Sequence, residues 1–283
     1  MTHQTFSKEN LGSANMYDSA QRPSAMLEEL REVWRYRDLL AQLIERNIKV
    51  RYKRSVLGLA WTMLNPLLMM AILTIVFSNL FRITLEHYPV YVLSALVLWN
   101  FFSQATLTAM TELAWGNSLL QRIYVPRTIF AISAVGTGLI NLLFALAPLA
   151  VIMLAVGVPL GPALILLPVP ILLTAMFALG VGLALSILAA SFADVVDIYH
   201  VALTAWLYLT PIIYPQEIVP AHLQWFFRLN PMYYLLETFR QPIYAGVLPA
   251  LETLAPASAI AVSALVIGWW FFARNADGLA YRI

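Results

Sequence analysis

The sequence predicts an all-α, polytopic membrane protein with six transmembrane helices, an N-terminal amphipathic interface helix and re-entrant outer helices between spans five and six. Three observations predict it. Of 283 residues, 61% are hydrophobic and only 11% charged, with a mean hydropathy of +0.75, far from the balance of a soluble domain. Charge-free windows of about 20 residues or more, the length that crosses a bilayer as a helix, recur along the chain. The 17 Lys and Arg then fall largely on one side of the arrangement those windows imply.

Residues 1–22 are polar and irregular, and residues 24–48 place Leu27, Leu30, Trp34, Leu40, Ile44 and Ile48 at helical spacings, interrupted by Arg37. Ser24 suits the cap of this helix, and Glu28 and Glu29 suit its positive end. A solvated amphipathic helix would show the same pattern. Because the segment runs directly into a membrane span, a helix lying in the cytoplasmic interface, with Trp34 and Tyr36 near headgroup level, is the preferred reading. It ends in the basic cluster Lys49, Arg51, Lys53 and Arg54, so tail and interface helix occupy residues 1–54.

The membrane part is expected over residues 55–273. Spans at 55–81, 88–111 and 253–273 stand alone between charges. Between Arg127 and Asp194 lie 66 uncharged residues, enough for two spans, and GVPLGP at 157–162 divides them into 128–156 and 163–190. The fifth, 195–213, is interrupted early by Asp197 and His200 and closed by Pro211 and Pro215. The first long apolar run begins near Val56, so the first span is expected to direct insertion itself. Pro66 follows eight residues after Gly58, which puts any kink in the cytoplasmic half of that span. Residues 274–283 form the second tail.

Sorting the basic residues sets the orientation. The N-terminal segment holds ten, the second-to-third connection Arg122 and Arg127, and the C-terminal tail Arg274 and Arg282, giving 14 on one side against Arg82, Arg228 and Arg240 on the other. Both termini are therefore expected in the cytoplasm. Net charge is only +2, so topology explains the basic residues and nucleic acid binding is excluded.

Two connections carry more than a link. ELAWGNSLLQRIYVPR, 112–127, fits a short helix capped by Asn117 and ended by Pro126. It either merely joins two spans or presents Leu119, Leu120, Ile123 and Tyr124 to a cytoplasmic partner; periodicity leaves both open. The outer connection, 214–252, is long yet apolar. Asn230 followed by Pro231 reads as cap then first helical position, and Glu237 can pair with Arg240. Apolar runs of about ten to fourteen residues are too short to span and suit interfacial or re-entrant helices. An aromatic belt remains the alternative for Tyr214, Trp225 and Phe226.

Chemistry is sparse. Cys is absent, which excludes disulfides, thiolate metal sites and a cysteine nucleophile. His3, His87, His200 and His222 are scattered, so no metal site is expected, and Asp194 and Asp197 fit a solvated turn better than a catalytic pair. There is no Walker A sequence and no dinucleotide fingerprint. The middles of the six spans lack Asp, Glu, Lys and Arg, so transport energy would enter from outside the membrane core. Gly136, Gly138, Gly180, Gly182, Ser186 and Ala190 would permit close helix packing, within one chain or between two.

Four blocks, IKVRYKRSVLGLAWTMLNPLL at 48–68, NSLLQRIYVPRTIF at 117–130, YLTPIIYP at 208–215 and LNPMYYLLETFRQPIYAG at 229–246, resemble in content and order the permeases of ABC-type polysaccharide exporters, the Wzm/TagG family of O-antigen and teichoic acid export subunits. Capsule permeases are relatives. The resemblance implies a non-enzymatic transport subunit of the bacterial inner membrane, paired with a second copy of itself and with two ABC ATP-binding subunits. Those subunits would bind ATP and Mg, leaving this chain without cofactors, and the cargo would be an undecaprenyl-diphosphate-linked polysaccharide. It implies a coupling helix at Asn117, Leu119, Leu120, Arg122, Ile123 and Tyr124, and an outer gate at Asn230, Pro231, Tyr233, Tyr234, Glu237 and Arg240. Lys49, Arg51, Lys53 and Arg54 would meet anionic lipid headgroups or the diphosphate of the lipid carrier at the cytoplasmic entrance, though topology alone also explains them. Trp99, Phe102, Tyr199 and Trp206 are the candidate channel aromatics, or ordinary packing. A small-lipid or drug exporter shares this architecture, and an integral membrane enzyme would need convergent acid, base or metal groups that the sequence lacks.

Overall fold

The computed structural model describes residues 33–53, 55–58, 60–79, 87–114 and 126–279. The expected coupling segment 117–124, Arg54, Arg82 and the Ser24 cap lie outside the described residues. Among those described there is no strand.

The described residues form nine α-helices: α1 (Arg37–Tyr52), α2 (Ala60–Asn79), α3 (Tyr88–Ala114), α4 (Thr128–Val156), α5 (Pro168–Ser191), α6 (Asp194–Leu209), α7 (Trp225–Leu229), α8 (Pro231–Arg240) and α9 (Leu251–Leu279). Local chemistry explains the breaks. The chain turns between α1 and α2 at Gly58, which takes φ +48° while its N–H donates to Ser55 Oγ at 3.0 Å. Gly157 ends α4 in the left-handed conformation at φ +89°, where glycine carries no Cβ penalty. Pro162 and Pro168 then open a 3₁₀ turn and α5 at positions that need no helical N–H donor.

Among the described residues five segments are long and apolar enough to cross a membrane: Ala60–Phe77, Tyr88–Leu113, Thr128–Val156, Pro162–Ser191 and Leu251–Asn275. α6 differs from the expected span over 195–213. Its 16 residues rise about 24 Å, short of a hydrocarbon core of about 30 Å. The helix stops because Thr210 is already extended and Pro211 supplies no N–H to continue the ladder.

α3 is the central helix. In its apolar window 78% of residues are buried within the chain, against 11–39% for the other four, and it packs on α4, α5, α2 and α8. α1 lies along α4, where Leu43 is buried and Ile44 fills the space over Gly136. α2 is held more loosely, leaving Trp61, Leu68, Met69, Ile72 and Ile75 exposed for lipid or another chain.

α5 and α9 approach most closely. A Cβ built on Gly268 would run into the Gly180 carbonyl, and one on Gly180 into the Ala264 carbonyl, so backbone touches backbone. Without a hydrophobic drive between helices in lipid, such contact is what holds them together. Gly180→Leu should therefore cost about 1–3 kcal/mol or more through overpacking and lower the thermal midpoint of the detergent-purified protein. Gly161→Ala, with nothing within 4 Å of its added methyl, should leave the midpoint unchanged.

Candidate functional site

The long connection after α6 folds back onto the bundle. Proline has broken the helix at Pro211, so the carbonyls of Pro211, Ile213 and Tyr214 must find donors elsewhere, and in an apolar bundle an unmet carbonyl costs several kcal/mol. The donors come from α3 and α8. Tyr88 Oη donates to the Ile213 carbonyl at 2.8 Å, and Tyr91 Oη to those of Tyr214 at 3.1 Å and Pro211 at 3.3 Å. Arg240 Nη2 donates to the Pro211 carbonyl at 2.9 Å.

Arg240 is 3% exposed, and a buried cation needs more than one carbonyl. Its Nη1 pairs with Glu237 Oε1 at 2.8 Å, one turn back on α8, and its guanidinium carbon stands 3.8 Å from the Tyr91 ring centroid. The cation is thus met by a carboxylate, a carbonyl and a π face. A cavity of about 180 Å³ adjoins it, lined among others by Pro215, Glu217 and Tyr244.

Asn230 fastens the other end of α8. Its Oδ1 accepts from Met232 N at 3.0 Å, capping the helix that Pro231 opens, and also from Trp206 Nε1 at 2.8 Å. Its Nδ2 donates to Thr210 Oγ1 at 2.9 Å. One carboxamide therefore caps α8 and ties it to the last turn of α6. The remaining expected gate residues lie toward the surface: Tyr233 Oη donates to Gln216 Oε1 at 2.9 Å and Tyr234 Oη to the Arg228 carbonyl at 3.1 Å. Burial pushes the Tyr233 phenol above its ordinary pKa, and it remains a donor at neutral pH.

Three of the four candidate aromatics, Trp99, Phe102 and Trp206, fall close together. Phe102 stacks on Phe177 at 5.3 Å, with Trp206 edge-on to Phe102 at 5.4 Å and Trp99 edge-on to Trp206 at 5.9 Å. Trp99 and Phe102 are buried, Trp206 is half-buried, and buried Tyr199 donates to Thr106 Oγ1 at 2.7 Å. Trp99 also borders a groove of about 430 Å³ between α2, α3 and α6, together with Met69, His200, Thr204 and Tyr208.

The basic cluster divides. Lys49 pairs with Glu45 on the exposed side of α1 and holds that carboxylate below its ordinary pKa. Lys53 is exposed at the end of α1. Arg51 instead borders a cleft of about 260 Å³ between α2, α3 and α4, whose walls include Asn65, Asn100, Gln104 and Asn141. Charge patterning within the spans does not reveal Asn100, Gln104 and Asn141, although Asn100 and Gln104, four apart in an otherwise apolar run, are a readable signal. Only the fold shows what Tyr88, Tyr91 and Thr210 meet. Among the described residues no group of His, Asp and Glu could hold a metal ion.

Replacing Arg240 with Met should cost about 3–5 kcal/mol, since it leaves Glu237 without its cation and the Pro211 carbonyl short of a donor. Arg240→Lys should fall between, because an ammonium cannot reproduce the planar fork that meets Glu237 and Pro211 together. Thermal unfolding of the purified variants checks both.

Comparison with known proteins completes the picture. The family model for ABC-2 type transporters matches residues 38–244. An O-antigen export system permease protein, RfbA, of Myxococcus xanthus is 29% identical over 239 residues, 84% of this chain and 92% of that protein. Two proteins of the same description from Klebsiella pneumoniae are 24% identical over 212 and 214 residues, 75% of this chain and 82% of each. The family match takes in α1 through α8, including the clamp of Tyr91, Asn230 and Arg240 around the broken end of α6, and so the chain belongs to the ABC-2 type transporter family.

Proposed function

We propose that this protein is the membrane-spanning permease of an ATP-driven exporter that carries a lipid-linked, O-antigen-like polysaccharide across the bacterial inner membrane. The observation that carries the reading is its similarity to O-antigen export permeases along 84% of its length. The fold is compatible with it in one physical respect. The middles of the five long apolar helices carry no ionisable side chain, so nothing in them suits proton or ion coupling, and the work of transport would come from a partner.

In this reading two copies assemble with two separate ATP-binding subunits that hold ATP and Mg, and both termini lie in the cytoplasm. α1 lies in the cytoplasmic interface with Lys49, Arg51, Lys53 and Arg54 at the lipid entrance. α6 completes a sixth crossing with the turn at Thr210–Tyr214, and α7 and α8 re-enter from the outer side as the gate. Residues 117–124 seat on the ATPase. Trp99, Phe102, Tyr199 and Trp206 would face the cargo once the second copy is in place, where aromatic faces suit a sliding sugar chain.

Deleting the gene in its host should strip the glycan from the cell surface and leave its lipid-linked form inside; unchanged surface glycan would overturn the reading. The coupling assignment has its own test. Leu119→Asp with Ile123→Asp should reduce cargo-stimulated ATP hydrolysis by the reconstituted complex about tenfold, the effect of losing an interface anchor. The permease itself should still purify as a folded species.

A further inference from the structure

The cleft beside Arg51 is the least accounted-for part of the molecule. Asn141 is 7% exposed, and neither its Nδ2 nor its Oδ1 has a hydrogen-bond partner among the described residues. Buried carboxamides are normally satisfied, and in a membrane protein the pressure to satisfy them is greater. Asn100 and Gln104 face the same cleft from α3 and Asn65 from α2, beside Pro66, which cannot donate to the helical ladder. Four carboxamides thus line one small space.

The cleft does not stand alone. A second cavity, of about 360 Å³, is lined by Arg46, Asn47, Thr108, Glu112 and Thr137, and Arg51 borders both. Thr108 and Glu112 follow Gln104 at successive turns of α3, and Thr137 precedes Asn141 by one turn of α4. Together they make a polar track that runs from the α1 end into the bundle. From Glu112 to Asn100 it covers about 18 Å of helix rise.

We propose that this track binds the sugar-phosphate head of a lipid, with phosphate at Arg51 and sugar hydroxyls on Asn65, Asn100, Gln104 and Asn141. The chemistry selects the ligand. A carboxamide donates and accepts at once, as adjacent sugar hydroxyls do, and a guanidinium fork matches a phosphate. Volume limits it: about 260 Å³ lies below the range of sites that enclose drug-sized ligands, about 300–1,000 Å³, so the cleft takes the first sugar and not the polymer. The exposed apolar side chains of α2, Leu68, Ile72 and Ile75 among them, leave a surface along which the lipid tail lies.

This inference rests on the reading of the protein as an exporter of lipid-linked glycan, and the same head chemistry also occurs in ordinary phospholipids. The test separates these. The complete transporter, in phosphatidylcholine nanodiscs, is titrated with three radiolabelled lipids: a polyprenyl diphosphate carrying one N-acetylhexosamine, the same lipid without sugar, and phosphatidylglycerol. The wild type should prefer the sugar-bearing lipid about tenfold, the discrimination expected when buried polar groups go unpaired with the lesser ligand. Asn141→Leu should abolish that preference while still binding the sugar-free lipid, and Arg51→Gln should weaken both diphosphates alike. Gln104→Leu, on a half-buried wall, should narrow the preference and keeps the test independent of the packing around Asn141. If the wild-type preference persists in both carboxamide variants, the track is not the site and the export reading stands. If the wild type binds neither polyprenyl lipid, the export reading falls and the site with it. Phosphatidylglycerol bound as tightly as the sugar-bearing lipid would mark a site for bulk phospholipid and overturn the assignment.

Discussion

The fold turns on the broken end of α6. A helix that stops at Thr210 inside an apolar bundle leaves backbone carbonyls that water cannot reach, and each must be met by protein. Tyr88 and Tyr91 of α3 and Arg240 of α8 meet them, and Asn230 ties α8 to the same turn. That requirement returns α8 to the bundle, where Met232, Leu235, Leu236 and Phe239 are buried on one side. A stretch that looks like an outer loop is thereby part of the core. The cost of burying Arg240 is offset at Nη1, Nη2 and the guanidinium face by a carboxylate, a carbonyl and an aromatic ring, while its Nε has no partner among the described residues.

The same interaction explains which parts of the architecture could be read in advance. Helices stand out in the sequence where a local signal sets them: charge-free runs for the long spans, Gly157 and Pro162 for the turn after α4, and Asn230–Pro231 for the start of α8. The Glu237–Arg240 pair was legible for the same reason, being one helical turn apart. The contacts of Tyr88 and Tyr91 were not, because their partners lie more than 110 residues away and are backbone carbonyls, which carry no residue identity to match. Hydropathy also overstates α6. It continues through Ile212 and Ile213, whereas the helix obeys Thr210 and Pro211.

The candidate site was legible in its charges and less so in its neutral polar groups. Arg51 belongs to a visible cluster, but Lys49 and Arg51 have unlike surroundings: Lys49 pairs with exposed Glu45 while Arg51 borders the cleft, and the periodicity of α1 alone does not assign those fates. Asn65, Asn100, Gln104 and Asn141 lie on three different helices, so their convergence is a property of how α2, α3 and α4 pack. Gly138 permits that packing. A Cβ there would meet the Phe101 ring at 3.0 Å, and the tight seam places Asn141, one turn on, on the same cleft as the α3 carboxamides.

α3 joins the two polar regions and assigns them opposite characters. Near its start, Tyr88 and Tyr91 complete a network in which Asn230 and Arg240 meet backbone, carboxylate and aromatic partners; from its middle, Asn100 and Gln104 share a cleft with Asn141, whose carboxamide has no partner among the described residues. Satisfied buried networks rigidify, and unsatisfied ones cost stability. Of the clamp's side chains only Arg240 Nε lacks a partner among the described residues, whereas Asn141 lacks one at both polar atoms of its carboxamide, and departures from local consistency concentrate where a protein does its work. The clamp holds α8 against the broken end of α6. The carboxamide track is the end whose hydrogen-bonding capacity is left for a ligand to use.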